Sequence, residues 1–156
     1  MTTMRSVLSR LRQWSTELWR RLDSFTSDNT TILAVTSNFT VRSSLRVLSL
    51  EQGWRILFAG CLEDGLRLQR LNKVWILVYD RDLPGVEWRH GLSMLLTSHQ
   101  AIFPIVISDV PSCRLRSEVL HFGGYELARA PLDPKYFAAL VNGTRALARS
   151  IDSLEL

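Results

Sequence analysis

Cysteine is scarce in this chain, with only Cys61 and Cys113 in 156 residues, and they lie far apart. Two distant thiols cannot make a disulfide framework, and no second Cys or His sits at ligand spacing to make a zinc site. Long hydrophobic runs are also missing. No stretch approaches the ~20 apolar residues needed to span a bilayer. The N-terminus lacks the continuous apolar core and small-residue cleavage site of a secretory signal. The expectation is therefore a cytoplasmic protein with reduced thiols. There is no Gly-rich phosphate loop after the first strand, no pairing of a nucleophile with a His, no internal repeat and no low-complexity tract. Those gaps argue against a nucleotide binder or a hydrolase and against catalysis altogether.

Charge is present but unevenly placed. The formal net charge is +4. Residues 1–25 hold Arg5, Arg10, Arg12, Arg20 and Arg21 against Glu17 and Asp23, so three of those four excess charges sit there. The rest of the chain is close to neutral, which argues against a nucleic-acid-binding globule. Hydrophobic residues make up 46%, enough to build a packed core.

Val7, Leu8, Leu11, Trp14, Leu18, Leu22 and Phe25 recur at spacings of three and four, which predicts an amphipathic helix over 5–25. Residues 26–30 are small and polar and read as a linker. The helix has three readings: packing back on the domain, association with itself or a partner, or contact with an anionic membrane surface. Association is preferred over membrane contact.

From residue 31 the pattern alternates between apolar strands and helices. Strands are expected at 31–36, 54–59, 74–79, 103–108 and 125–129. Helices are expected at 39–52, 62–71, 87–99, 112–122 and 133–151, the second with Leu62, Leu66 and Leu71 as its apolar residues and Arg67 and Arg70 exposed. Val74 to Tyr79 is the most hydrophobic strand and should lie at the sheet centre. Residues 1–30 then form an appendage and 31–156 one domain. Five β–α units imply a doubly wound parallel sheet with right-handed crossovers.

In such sheets, ligands bind just beyond the carboxyl ends of the strands. Thr36 and Ser37 follow strand one. Asp80-Arg81-Asp82-Leu83-Pro84-Gly85 follows strand three. Ser108 and Asp109 end strand four, and Ala130-Pro131-Leu132-Asp133 follows strand five. The order and spacing of Asp80-x-x-Leu83-Pro84-Gly85, then Gly123-Gly124, then Pro131-Leu132-Asp133, resemble response-regulator receiver domains over roughly residues 31–148. The resemblance implies a flavodoxin-like fold with strand order 2-1-3-4-5 and a place in two-component phosphorelay signalling. It implies that Asp80 is the phosphoacceptor and that Ser108, or Asp109 one residue on, contacts the phosphoryl group and switches the following loop. Its partners would be a histidine kinase or another signalling protein, with a homodimer also open. The usual output face would cover residues 112–145.

The departures from the family matter as much. Where it has two acidic residues after strand one to hold Mg²⁺ with the acceptor, this chain has Thr36 and Ser37. Where it has a Lys before the strand-five proline, this chain has Ala130. Asp80 alone remains to ligate a metal, so Mg²⁺ is doubtful and no other cofactor is implied. At ~4 Å and an effective dielectric near 20, each missing carboxylate removes about 4 kcal/mol of gross attraction for a unit charge. The expectation is a degenerate receiver that acts through protein contacts, with phosphorylation weakened or absent. The alternative is a working single-domain regulator phosphorylated on Asp80. Asp82 lies close enough in sequence to lend charge but is expected to point to solvent. Trp88 and His90 read as surface residues at a helix start, and His99 and His121 as helix-end residues without a role. Tyr125 reads either as lining a partner surface or as half-buried packing.

Overall fold

A computed structural model describes residues 31–97 and 102–154. The expected helix 5–25, the linker 26–30 and His99 lie outside the described residues. Five strands and five helices alternate: β1 (Thr31–Val35), α1 (Phe39–Gln52), β2 (Arg55–Ala59), α2 (Leu62–Leu71), β3 (Ile76–Asp80), α3 (Trp88–Leu96), β4 (Phe103–Ser108), α4 (Cys113–His121), β5 (Glu126–Arg129) and α5 (Pro134–Leu154). The strands form one parallel sheet in the order β2-β1-β3-β4-β5, the doubly wound arrangement expected from the sequence.

Strand alternation divides the core in two. Ile32, Ala34, Ile76, Val78, Ile105 and Ile107 face α1 and α5, where Val41, Leu45, Phe137 and Val141 meet them. Leu33, Val35, Leu77, Tyr79 and Val106 face the other side, under Leu92 and Leu95 of α3 and Leu115 and Val119 of α4. Burying each large apolar side chain contributes about 1.5–3 kcal/mol. The helix ends follow local chemistry. Asn38 caps α1 by accepting from the Val41 amide at 3.2 Å, and Gly53 ends it in the left-handed region at φ 72°. Ser112 caps α4 through the Leu115 amide at 3.0 Å.

Three expectations need correction. The buried face of α2 centres on Gly65 and Gln69, and Leu71 is exposed. Gln69 is buried because its amide donates to the Leu95 carbonyl at 2.7 Å, which satisfies it against α3. Trp88 is buried rather than on the surface, stacked edge-on against Phe122 with ring centroids 5.9 Å apart. β3 starts two residues later than expected, at Ile76, and runs on to Asp80, although Trp75 just before it already donates to the Thr31 carbonyl and accepts from the Phe103 amide.

Candidate functional site

The parallel register brings the strand ends to one edge of the sheet. Val35 pairs with Tyr79, Asp80 with Ile107 and Ser108 with Arg129, so Thr36, Asp80, Ser108 and Ala130 emerge side by side. A cavity of about 250 Å³ opens there, lined by Ser37, Asn38, Val41, Asp80, Asp82, Ile107, Ser108, Asp109 and Ala130. Four of the five residues singled out from the sequence line it: Asp80, Ser108, Ser37 and Ala130. The fifth, Thr36, is buried and touches Asp80 directly.

Both oxygens of Asp80 are already engaged. Thr36 Oγ1 donates to Oδ2 at 2.8 Å, and the Asp82 amide donates to Oδ1 at 2.9 Å. Thr36 Oγ1 also accepts from the Asn38 amide at 3.0 Å, which joins the Asp80 side chain to the cap of α1. The Thr36 carbonyl accepts from Arg42 Nε at 3.0 Å. Ser108 is buried; its hydroxyl accepts from the Val110 amide at 3.1 Å and its carbonyl from the Ala130 amide at 2.9 Å. Ser108 and Asp109 both line the cavity, Ser108 buried and Asp109 exposed.

Asp82 stands at the rim of the cavity. It lines the cavity, although its side chain is 57% exposed. Its carboxyl is held above the usual range, first by partial burial and then by the neighbouring charges of Asp109 and Asp80, with Arg81 opposing. Negative charge is thus gathered on the β3 and β4 side of the cavity, while the β1 side offers hydroxyls. Among the described residues, no group of three His, Cys, Asp or Glu converges to hold a metal ion. With Thr36 and Ser37 in place of carboxylates and no such convergence, this donor set does not fit Mg²⁺, a hard cation held by carboxylates and waters.

The sequence reading missed a clamp behind the site. Glu87 caps α3 by accepting from the Arg89 and His90 amides at 3.0 and 3.2 Å. Arg89 pairs with Glu87 at 2.6 Å and also with Glu118 on α4, and its guanidinium lies 4.8 Å from the Trp88 ring. The helices that follow the two cavity loops are thereby tied together. A Glu directly before a helix start was the available sign of the cap; the cross-helix pair had none. His90 is exposed and absent from the cavity lining. Tyr125 is half-buried, edge-on to Phe103 at 5.4 Å.

No family model matches the sequence, and no curated protein matches it. Solved structures do. The signal receiver domain of a protein assigned as a Luxo repressor in Vibrio parahaemolyticus superposes with a TM-score of 0.72 at 14% identity, covering 82% of this chain and 98% of that one. The chain has the receiver fold. A second receiver, from an HD domain-containing protein of Pseudomonas fluorescens Pf-5, gives a TM-score of 0.70 at 18% identity, covering 78% and 98%. A third was crystallised in complex with the histidine phosphotransfer protein Ypd1. It is the receiver domain of the Saccharomyces cerevisiae response regulator Ssk1, with a TM-score of 0.62 at 11% identity, covering 71% and 85%. At such identities the likeness is one of fold. None of the described helices is long and apolar enough to cross a membrane.

Proposed function

We propose that this chain is an atypical receiver in two-component-type signalling, cytoplasmic, and acting by protein–protein contact rather than by catalysis. Asp80 is phosphorylated weakly or not at all. One observation supports the reading: where charge would be needed around the Asp80 carboxylate stand the Thr36 hydroxyl, which donates to it, and the uncharged Ser37 and Ala130. Phosphoryl transfer depends on positioning and on neutralising charge at the transferred group. Here Thr36, Ser37 and Ala130 supply no charge to an incoming phosphoryl group. Residues 31–156 form the receiver unit, with 1–30 as an appendage. Its partner is a signalling protein such as a histidine kinase or a phosphotransfer protein, by analogy with the Ssk1 receiver, and the output face lies within residues 112–145.

The test is titration with Mg²⁺ and beryllofluoride, followed through the amide NMR signals of Asp80 and Ser108. The expected result is no saturable shift at millimolar ion in the wild type, and a Mg²⁺-dependent shift in a Thr36→Asp/Ser37→Asp variant. Saturable shifts in the wild type that vanish in Asp80→Asn would replace this reading with that of a working phosphoacceptor.

A further inference from the structure

The two edges of the sheet differ in charge. At the β5 edge, Glu126 is neutralised by Arg116 of α4 at 3.1 Å. At the other edge, β2 is flanked by arginines on both faces. Arg42 and Arg46 of α1 hold their guanidiniums 5.6 and 5.1 Å from the centroid of the Phe58 ring. Strand alternation sends Arg55 to the opposite face, where it donates to the neutral Asn72 side chain at 3.4 Å. Among the described residues no carboxylate pairs with any of these three arginines, and Asp64 at the start of α2 is taken by Arg67.

The backbone of the same strand is open on one side. β2 pairs with β1 alone. The Thr36 amide donates to the Ala59 carbonyl at 2.9 Å, which fixes the phase of that ladder. In a parallel pair, alternate residues turn both their peptide groups toward the neighbouring strand. Arg55, Leu57 and Ala59 therefore face β1, and Ile56 and Phe58 turn their N–H and C=O groups outward. No hydrogen bond among the described residues takes those groups up. The side chains of Ile56, Leu57 and Phe58 are half-buried, so an added strand would meet apolar surface as well as free peptide groups.

We propose that the β2 edge takes up an acidic, extended segment of a partner protein as an additional strand. Main-chain bonds to Ile56 and Phe58 would supply affinity, and alternate side chains specificity. Acidic residues on one face of the added strand would meet Arg42 and Arg46, and those on the other face Arg55. Charge decides against the other occupants. Residues 1–25 hold five arginines against two carboxylates, so the chain's own N-terminal segment is repelled. A second copy paired edge to edge would crowd both sets of arginines together, and like charges at an edge are how sheets avoid such pairing. A nucleic acid has the charge but no peptide groups to complete the ladder. The β2 edge lies across the sheet from β5, so its loss would leave the proposed 112–145 face intact.

Titration of the full chain with a peptide of alternating valine and glutamate tests this, followed through the amide NMR signals of Ile56 and Phe58. The expected result is a saturable shift of both signals at millimolar peptide. Arg46→Ser/Arg55→Ser changes two exposed side chains outside the cavity. It should weaken binding about five- to tenfold, the loss of two exposed ion pairs, while the amide signals of β3 and β4 stay in place. The same peptide fully N-methylated, and a peptide of alternating valine and lysine, should leave Ile56 and Phe58 unmoved. No saturable shift in the wild type overturns the proposal. So does equal binding of either control peptide, or unchanged affinity in the arginine variant. Shifts of Ile56 and Phe58 that follow protein concentration alone, with a doubled mass by light scattering, would assign the edge to a second copy instead. The same shifts produced by a single-stranded oligonucleotide would assign it to nucleic acid.

Discussion

Tyr79 and Asp80 are consecutive residues at the end of the central strand, and strand alternation sends them to opposite faces of the sheet. Tyr79 is fully buried under α3, and its hydroxyl has no hydrogen-bond partner among the described residues. Gly91 sits directly over it, and a Cβ at that position would overlap the hydroxyl oxygen. Asp80 has the reverse circumstances: both oxygens are bonded, and it faces a cavity of about 250 Å³. One side of the strand end has no room and an unsatisfied polar atom, and the other has room and a satisfied one. The crowded side fixes the strand against α3, and the open side is where something can bind without disturbing the core.

The sharpest way to break that contrast is to add a methyl group on the crowded side. Gly91→Ala should destabilise the fold by about 3 kcal/mol, the upper end of overpacking penalties, because the nearest atom is already in the way. In a Tyr79→Phe background the closest obstacle is gone, and the penalty should fall by about half. Urea denaturation of the four proteins checks this. An equal penalty in both backgrounds would show that the Tyr79 hydroxyl is not what Gly91 makes room for.

Alkaline pH probes the same face without a packing change. Burial, and after it the charges of Glu87 and Asp80, push the Tyr79 phenol up to about 12 from its usual 10. The folded state therefore keeps a proton that the unfolded state gives up above pH 10. Below pH 10 the contribution is constant; between about 10 and 12 it is lost as pH rises. That difference corresponds to about 2–3 kcal/mol. Tyr79→Phe should lose less stability than the wild type across that window and match its slope below pH 9. Parallel curves throughout would mean that the phenol ionises as freely folded as unfolded.

How far the sequence told these faces apart depends on what set each feature. The strands and the convergence of Asp80, Ser37, Ser108 and Ala130 were legible, because apolar runs mark strands and a parallel sheet aligns their carboxyl ends; the strand order came only with the resemblance to receiver domains. Leu71 was misread because periodicity counts apolar residues, whereas Gln69 is buried through a hydrogen bond to α3 that no local pattern encodes. Trp88 was misread because its burial depends on Phe122, more than thirty residues away. The bond from Thr36 to Asp80 joins residues 44 apart and exists only because β1 and β3 pair in this register. Where Asp82 lies was not legible, since side chains in a loop follow no period.

Asp82 gives the smallest and most local test of the open side. Its carboxyl is raised above the usual range by partial burial and by Asp109 and Asp80, so at neutral pH the folded state carries a charge it disfavours. Wild-type stability from this group is therefore lost as pH rises through the window just above the ordinary aspartate value. Asp82→Asn removes that charge and keeps the backbone amide that serves Asp80. It should raise stability at pH 7 by less than about 0.5 kcal/mol, because the side chain is more than half exposed and solvent screens it. The gain should shrink toward zero below pH 3, where both proteins are neutral at this position. Thermal unfolding at the two pH values is the measurement. A loss of stability at pH 7 would mean that Asp82 is held by a favourable partner, with Arg81 at 3.8 Å outweighing the two carboxylates. The β3–β4 side of the cavity would then be electrostatically balanced.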